Sequence, residues 1–269
     1  MKKGAVIRGA VAAVLLGAIA FSGYHIWMIQ NSYAAEADSH RQLLAYQPTS
    51  SSGSIAEIPS SSPPDSSSSS CAPLPDSSCA PEVEVNAKIA DLQAQYPAAV
   101  GWLSVPGTKI DYPFAQTTDN AYYLERGLDG GELTSGTIFM DHRNQPDFSD
   151  FNTLLYGHHM KNGSMFGTLK YFGTQSFFDT HETGTISLLD TTYEIDFFAY
   201  LVLKADDAWI YNPARAGSDP SGFLAYVKGA ARYYRDIGVT GSDHILTLST
   251  CDYEFDDARM ALLGRLVAN

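Results

Sequence analysis

Residues 244–267, HILTLSTCDYEFDDARMALLGRLV, contain two runs of β-forming residues on either side of an acidic turn. Successive side chains of a strand point to opposite faces, so Leu246 and Leu248 share one face while Ser249 and Cys251 share the other. The leucine face belongs to a hydrophobic core. Cys251 therefore ends its strand on the more polar face, where its thiol is expected to be accessible.

The second run follows closely enough to form a hairpin with the first. Such a hairpin returns Arg259 beside the end of the preceding strand, where Cys251 lies. The face of the second strand that carries Arg259 is mixed in polarity. A surface salt bridge with Asp256 or Asp257 is therefore an alternative role for the arginine.

Six further β-type runs precede this pair, separated by Gly, Asn and Asp turns. They are VGWLSV at 100–105, IDYPF at 110–114, GTIFM at 136–140, NTLLYG at 152–157, GTISLL at 184–189 and YEIDFFAYLVL at 193–203. Eight short strands with these turn signals predict a mainly β fold. We expect an eight-stranded barrel, closed or nearly closed, with peripheral helices.

Two helices are predicted around these strands. Residues 85–96 carry apolar residues at helical spacing and end before Pro97. Residues 220–237 form a second helix between the sixth and seventh strands, with Pro220 just inside its start and Gly238 just past its end. Its apolar stripe consists of Phe223, Val227, Ala230, Tyr234 and Ile237.

The N-terminal region differs in kind from the rest. Residues 9–29 contain no Asp, Glu, Lys or Arg, and His25 is mostly neutral at pH 7; as a helix they are long enough to cross a hydrocarbon core of about 30 Å. Basic residues precede this run and acidic ones follow it, which places the N-terminus in the cytoplasm and the remainder outside. Residues 1–30 are thus predicted to be a single-pass membrane anchor. A cleaved signal peptide is the alternative, since 32–34 and 35–37 offer small-x-small cleavage sites.

Residues 31–81 are predicted to be a tether, and residues 82–269 the folded domain. From Thr49 to Pro81 the chain has 14 Ser and 6 Pro in 33 residues, too little apolar surface to offset the entropy of ordering. Cys71 and Cys79 lie in this stretch. Outside the cell they could form a disulfide, stay reduced, or cross-link two chains.

Composition excludes several classes of function. The 269-residue chain has 17 basic and 30 acidic residues, a formal net charge of −13, which repels phosphate and argues against nucleic-acid binding. The sequence has no CxxC pair, no phosphate-binding GxxxxGK[ST] loop, no GxGxxG turn and no HExxH motif. Zinc ribbons, P-loop nucleotide hydrolases and zincin proteases are therefore unsupported.

The third cysteine of the chain, Cys251, has no evident disulfide partner and is a candidate nucleophile; a buried structural cysteine is the alternative. A thiol has a reference pKa near 8.5, so reactivity near neutral pH needs a base or a positive neighbour. His158 is the leading candidate, because it follows a strand and Gly157 directly. A structural role for His158 is the alternative, as is a metal site that combines the His158–His159 pair with Asp141 or His142.

Together these segments resemble the class B sortases, cysteine transpeptidases that attach proteins to Gram-positive cell walls. LSTC at 248–251, with Arg259 downstream, resembles the sortase TLxTC signature and its arginine. LLYGHHMKNGSMFGTLKYF at 154–172 is similar to the histidine segment of class B members. VPGTKIDYPFAQTTDNAYYL at 105–124 and GTIFMDHRN at 136–144 resemble early strands of the barrel. The resemblance covers nearly all of residues 85–269.

The resemblance implies roles for individual residues and no cofactor or metal. Cys251 corresponds to the nucleophile, His158 to the general acid and base, and Arg259 to the group that stabilises the oxyanion. His158 is chosen over His159 because the histidine of the family directly follows the glycine. Implied contacts with the substrate peptide come from Asn120, Leu124, Ser249, Asp252, Trp209 and Ile210. Some class B members have Glu where this chain has Asp252, so a contact from that carboxylate would be shorter.

The resemblance also implies the reaction and its partners. A surface protein with a C-terminal sorting signal is cleaved after Thr, forms a thioester with the enzyme, and is transferred to an amine of a lipid-linked peptidoglycan precursor. Signals of the NPxTN and [S/N]PxTG types both fit class B relatives. Two alternatives are a Cys/His peptidase that hydrolyses cell-wall peptides, and a non-catalytic module of the wall or of a pilus that only binds peptide.

Overall fold

The fold is described by a computed structural model that covers residues 2–48, 85–251 and 257–268, with side chains from residue 15 onward except that of Cys251. The predictions made for the Ser/Pro-rich stretch and its cysteines, Cys71 and Cys79, lie outside the described residues. So does the prediction for Asp252.

The sheet is a closed barrel. Within the described ranges, strands form a single sheet in the order β5-β1-β2-β3-β4-β8-β9-β6-β7, and an additional pairing of β5 with β6 closes eight of them into a ring. The short β7 lies outside this ring against β6. The strands are β1 Ala99–Ser104, β2 Asp111–Ala115, β3 Ile138–Met140, β4 Asn152–Tyr156, β5 Thr183–Ser187, β6 Thr192–Lys204, β7 Tyr233–Tyr234, β8 His244–Cys251 and β9 Ala258–Ala268. The predicted eight-stranded barrel is confirmed.

Two parallel pairings interrupt the antiparallel pattern. β2 pairs with β3, and β4 with β8, in parallel. In the second pair Tyr156 lies opposite Ser249, so the two strands end at the same edge of the barrel. β8 and β9 are antiparallel, and Cys251 lies directly opposite Arg259. The barrel edge that follows β4 and β8 therefore also contains the start of β9.

Five α-helices and three 3₁₀ segments accompany the strands in the described part of the chain. The helices are α1 Lys2–Leu43, α2 Ala87–Gln95, α3 Gln175–Thr180, α4 Pro213–Ser218 and α5 Pro220–Ala230, and the 3₁₀ segments are Leu44–Tyr46, Tyr122–Leu124 and Gly167–Gly173. The helix predicted over 85–96 corresponds to α2. Asn86 caps it, since its side-chain oxygen accepts hydrogen bonds from the backbone of Lys88 and Ile89. Val85 therefore precedes the helix.

The second predicted helix is shorter than expected. α5 starts at Pro220 but ends at Ala230, not at Ile237. The next residues pair with the open part of β6, where Tyr234 lies opposite Ala199. Aromatic residues favour strands, and this edge of β6 supplies hydrogen-bond partners that a longer helix would leave unused.

Apolar side chains fill the barrel and a second layer outside it. Leu246 and Leu248 are fully buried in the interior with residues of the other strands, as the alternation predicted. Outside the barrel, α5 packs Phe223 and Val227 against side chains such as Leu154. This layer lies beside the cluster of loops at which β4 and β8 end.

The end of α1 contacts the barrel. His40 Nε2 lies 2.9 Å from the backbone oxygen of Asp111, Gln47 donates a 2.7 Å hydrogen bond to the Asp111 carboxylate, and Leu43 is buried. Glu36 accepts a 3.2 Å hydrogen bond from Asn162. Part of the stretch predicted to be a tether, residues 36–47, is therefore packed on the domain.

Over the residues whose side chains the structure describes, no helix combines the length and the apolar character that a membrane crossing requires.

Candidate active site

A cleft opens at the barrel edge where β4 and β8 end. Its volume is about 570 Å³, within the usual range for ligand sites. Its walls come from residues 120–124, from the end of β4 and the residues after it, from the end of β8 with the start of β9, and from residues 205–212. The lining includes Asn120, Leu124, His158, Tyr211, Ser249 and Arg259.

His158 enters the cleft because of how β4 ends. Gly157 follows the strand, and a Cβ at that position would lie 2.9 Å from the ring of Phe166, so a larger residue would displace the aromatic side chain. The backbone N–H of Phe166 donates a 3.0 Å hydrogen bond to the His158 oxygen, which ties the returning loop to the histidine.

The imidazole of His158 is held by one wall of the cleft. Its Nε2 lies 2.6 Å from the carbonyl oxygen of Leu124, and the ring is half-buried. Since a carbonyl can only accept, Nε2 carries the proton in this contact. Of the two adjacent histidines, His158 lines the cleft, whereas His159 forms a β-bridge with Met165.

Cys251 and Arg259 are neighbours through the strand register. Cys251 is the last residue of β8 and is paired with Arg259 of β9. The guanidinium of Arg259 lines the cleft and donates a 3.0 Å hydrogen bond to the backbone oxygen of Ala258. It forms no ion pair with any carboxylate of the described ranges, so the predicted alternative of a salt bridge with Asp257 is not seen; Asp256, the other predicted partner, lies outside the described residues.

The predicted substrate contacts divide into two groups. Asn120, Leu124 and Ser249 line the cleft. Trp209 and Ile210 do not: Ile210 is fully buried in the outer layer, and the ring of Trp209 contacts the guanidinium of Arg215 and the ring of Tyr226. Ile210 fills the core and has no surface left for a peptide, whereas Trp209 is half-buried but does not line the cleft. Their positions therefore give no support to the predicted contacts.

Sequence reasoning missed Tyr211, which follows these two residues and does line the cleft. Its hydroxyl lies 2.8 Å from Oγ of Ser249, two residues before Cys251. A signal for it was present, because Tyr211 directly follows Trp209 and Ile210, the two loop residues assigned to substrate contact.

Sequence reasoning also left the role of Asp141 open. This residue is fully buried and accepts hydrogen bonds from Arg143, Tyr156 and Asn120. Burial raises the pKa of its carboxyl, but hydrogen bonds from Arg143 and Tyr156 and the charge of Arg143 outweigh burial and lower it to about 2. Burial and the charge of Asp141 raise the pKa of Tyr156. Asp141 is therefore ionised and Tyr156 neutral at physiological pH.

The alternative metal site predicted from the sequence combines the His158–His159 pair with Asp141 or His142. Nδ1 of His142 lies 3.8 Å from Asp141. In the part of the chain that the structure describes, no group of three or more His, Cys, Asp or Glu residues could hold a metal ion.

The site thus combines, on a closed mixed barrel, a cysteine that ends one strand, an arginine opposite it and a histidine that lines the adjoining cleft. Residues 103–268 match the family model for the sortase domain, and the chain belongs to the sortase family of cysteine transpeptidases.

Its relatives are class B sortases. The chain is 38% identical over 186 residues to Sortase B of Listeria monocytogenes serovar 1/2a, a match that covers 68% of this chain and 76% of that protein. A Streptococcus pyogenes class B sortase involved in pilus biogenesis superposes with a TM-score of 0.63 at 34% identity, covering 66% of this chain and 97% of the other. The Staphylococcus aureus sortase B–substrate complex gives a TM-score of 0.63 at 29% identity, covering 68% and 86%. The predicted family and enzyme class are confirmed.

Proposed function

We propose that this enzyme cleaves a C-terminal sorting signal after Thr, forms a thioester between Cys251 and the Thr carbonyl, and transfers the protein to an amine of a lipid-linked peptidoglycan precursor. The observation that carries the proposal is the strand register. β4 and β8 are parallel, and Tyr156 is paired with Ser249. His158 and Cys251 each lie two residues beyond this pair, at the same edge of the barrel. Cys251 in turn is paired with Arg259.

Three residues divide the chemistry. The thiolate of Cys251 attacks the Thr carbonyl carbon, and Arg259 donates charge-assisted hydrogen bonds to the oxyanion that develops. Protonated His158 then gives its proton to the leaving amine as the C–N bond breaks. In the second half-reaction neutral His158 takes a proton from the attacking amine, and the thiolate of Cys251 leaves. These steps require no cofactor.

The peptide is proposed to bind in the cleft described above. Asn120, Leu124 and Ser249 keep the roles assigned from the sequence, and Tyr211 joins them, since it lines the same cavity. Leu124 is 41% exposed, which leaves apolar surface available to a ligand. Asp252 remains a proposed contact next to Cys251. Trp209 and Ile210 are proposed to act only indirectly, through the apolar cluster that they share with Tyr211.

The test of this function is product analysis by mass spectrometry. The full-length protein is incubated with NPxTN and [S/N]PxTG peptides, with and without an amine that mimics the peptidoglycan acceptor. A Thr–amine adduct that depends on the acceptor supports transpeptidation. Free acid alone would instead identify a Cys/His peptidase. Uncleaved peptide that still binds after the thiol is alkylated would identify a non-catalytic binding module.

Arg259→Lys is expected to lower kcat/KM for transfer by about 10²-fold or more, the typical effect of losing an oxyanion donor. Lysine keeps the positive charge but cannot reproduce the planar donor pair of a guanidinium. Arg265→Lys is a matched control, because Arg265 lies on the same strand as Arg259, β9, but binds Asp196 of β6 at 2.7 Å and does not line the cleft. Near-normal transfer by Arg259→Lys would mean that backbone donors stabilise the oxyanion.

We further propose that residues 9–29 anchor the enzyme in the cell membrane, with the N-terminus in the cytoplasm and the catalytic domain outside. The proposal is supported by a run of 21 residues without a charged side chain inside the continuous helix α1. Full-length protein is expected in the membrane fraction of cells, and a variant lacking residues 1–30 in the soluble one. An intact mass that lacks the first 34 to 37 residues would support the signal-peptide alternative.

A further inference from the structure

Asp141 is the most deeply buried acidic side chain among the residues described, and it lies where β3 ends beside the cleft. Its Oδ1 accepts hydrogen bonds from the backbone N–H and Nε of Arg143, at 3.0 and 2.8 Å. Its Oδ2 accepts from Nη2 of Arg143 at 2.6 Å, from Nδ2 of Asn120 at 3.0 Å and from the hydroxyl of Tyr156 at 2.9 Å. One carboxylate thus binds three side chains that belong to different parts of the chain.

These side chains connect Asp141 to three of the four walls of the cleft. Asn120 precedes the 3₁₀ segment that ends in Leu124. Tyr156 is the last residue of β4. Arg143 extends to the third wall, where its Nη2 donates a 3.0 Å hydrogen bond to the backbone oxygen of Tyr211.

All three walls contain groups assigned to the reaction. The first supplies the Leu124 oxygen, which lies 2.6 Å from Nε2 of His158, and the second supplies His158 itself. The third supplies the Tyr211 hydroxyl that contacts Ser249. Asp141 touches none of these groups directly, so any effect on catalysis acts through the donors that it holds.

We propose that Asp141 is a positioning residue whose ionised carboxylate fixes the separation of three of the four walls of the peptide cleft. This inference rests on the proposed function, since it assigns a role in binding the sorting peptide. Asn120 is the group that most depends on it. Its Nδ2 is bound to Asp141 and its Oδ1 accepts from the backbone of His142 at 2.9 Å, which fixes the orientation of the amide towards the cleft.

Asp141→Asn is expected to raise KM for the sorting peptide about tenfold while kcat changes less than about threefold, the effect of losing one hydrogen bond to a charged group. Either orientation of the new amide turns an N–H₂ group towards donors, because both carboxylate oxygens only accept in the present arrangement. The measurement is steady-state transfer by the full-length enzyme, together with the melting temperature of each variant.

Asp150→Asn is the matched control. Asp150, like Asp141, is a carboxylate that accepts hydrogen bonds. It accepts one from Nδ2 of Asn144 at 2.8 Å and one from the backbone of Gln145 at 2.7 Å, but it does not line the cleft. It should lower stability without a selective rise in KM. If Asp141→Asn and Asp150→Asn change KM equally, or if Asp141→Asn has the wild-type KM, Asp141 has only a structural role.

Tyr156→Phe keeps the proposal testable if Asp141→Asn does not fold. It removes one hydrogen bond and leaves the charge of Asp141 paired with Arg143, and it is expected to raise KM by about threefold or more. In a double variant that folds, the effects of Tyr156→Phe and Asp141→Asn on KM should not be additive, because the Tyr156 hydroxyl has no carboxylate to bind once Asp141 is replaced. A wild-type KM for Tyr156→Phe, or additive effects, would overturn the proposal. If the wild-type enzyme transfers no peptide, the proposed function is wrong, and the positioning role that rests on it is wrong as well.

Discussion

Cys251→Ala is expected to abolish transfer, lowering kcat/KM by at least about 10⁴-fold, because no side chain remains to form the thioester. Cys251 lies opposite Arg259, the residue proposed to stabilise the oxyanion. Loss of the Cys251 thiol should therefore block the acylation step itself. The measurement has two parts: the rate of peptide cleavage, and the intact mass of the enzyme after mixing with peptide alone. Wild type should gain the mass of the acyl group, and the variant should not.

The two other cysteines provide the control. Cys71→Ala and Cys79→Ala remove thiols from the Ser/Pro-rich stretch and should retain wild-type transfer. Residual turnover by Cys251→Ala, or loss of activity in either control, would place the nucleophile elsewhere.

His158→Ala is expected to lower both half-reactions by about 10³-fold, within the usual range for general acid–base catalysis. The reason is geometric, because His158 lines the cleft and its Nε2 is bound to the Leu124 oxygen. Rapid-mixing experiments can separate formation of the thioester from its resolution by the amine, and both should slow.

His159→Ala is the matched control, since it changes the adjacent imidazole, whose residue forms a bridge with Met165. It is expected to lower the rate by less than about threefold, an effect on loop stability alone. The reverse ranking of the two histidines would contradict the assignment made here.

The barrel could be predicted from the sequence because its signals are local. All eight runs of β-forming residues became strands of the closed ring, since alternation and turn residues act over a few positions. The hairpin that returns Arg259 to the end of β8 is local in the same sense. The end of α5 was predicted wrongly because Tyr234 pairs with Ala199, a partner 35 positions away in the sequence.

Much of the site depends on contacts between distant segments, which no short window contains. The parallel pairing of β4 with β8 joins residues almost 100 positions apart and brings His158 and Cys251 to one edge. Asp141 likewise acquires its role from Asn120 and Tyr156, neither of which is adjacent in sequence. The direction of a side chain within a loop could not be predicted from the sequence either. Ile210 was expected to contact the substrate peptide, but it is buried in the core.

Closure of the ring by β5 and β6 has a consequence for how sorting signals diversify. An enzyme with a free sheet edge can recognise an extended peptide through backbone hydrogen bonds that are largely indifferent to sequence. Here β5 is already paired on both sides, with β1 and with β6. Both edges of β5 are therefore occupied, and we expect preference for a particular signal to come from side chains and loops around the cleft. Exchange of residues 120–124 and 205–212 between relatives should therefore transplant specificity while the scaffold stays intact.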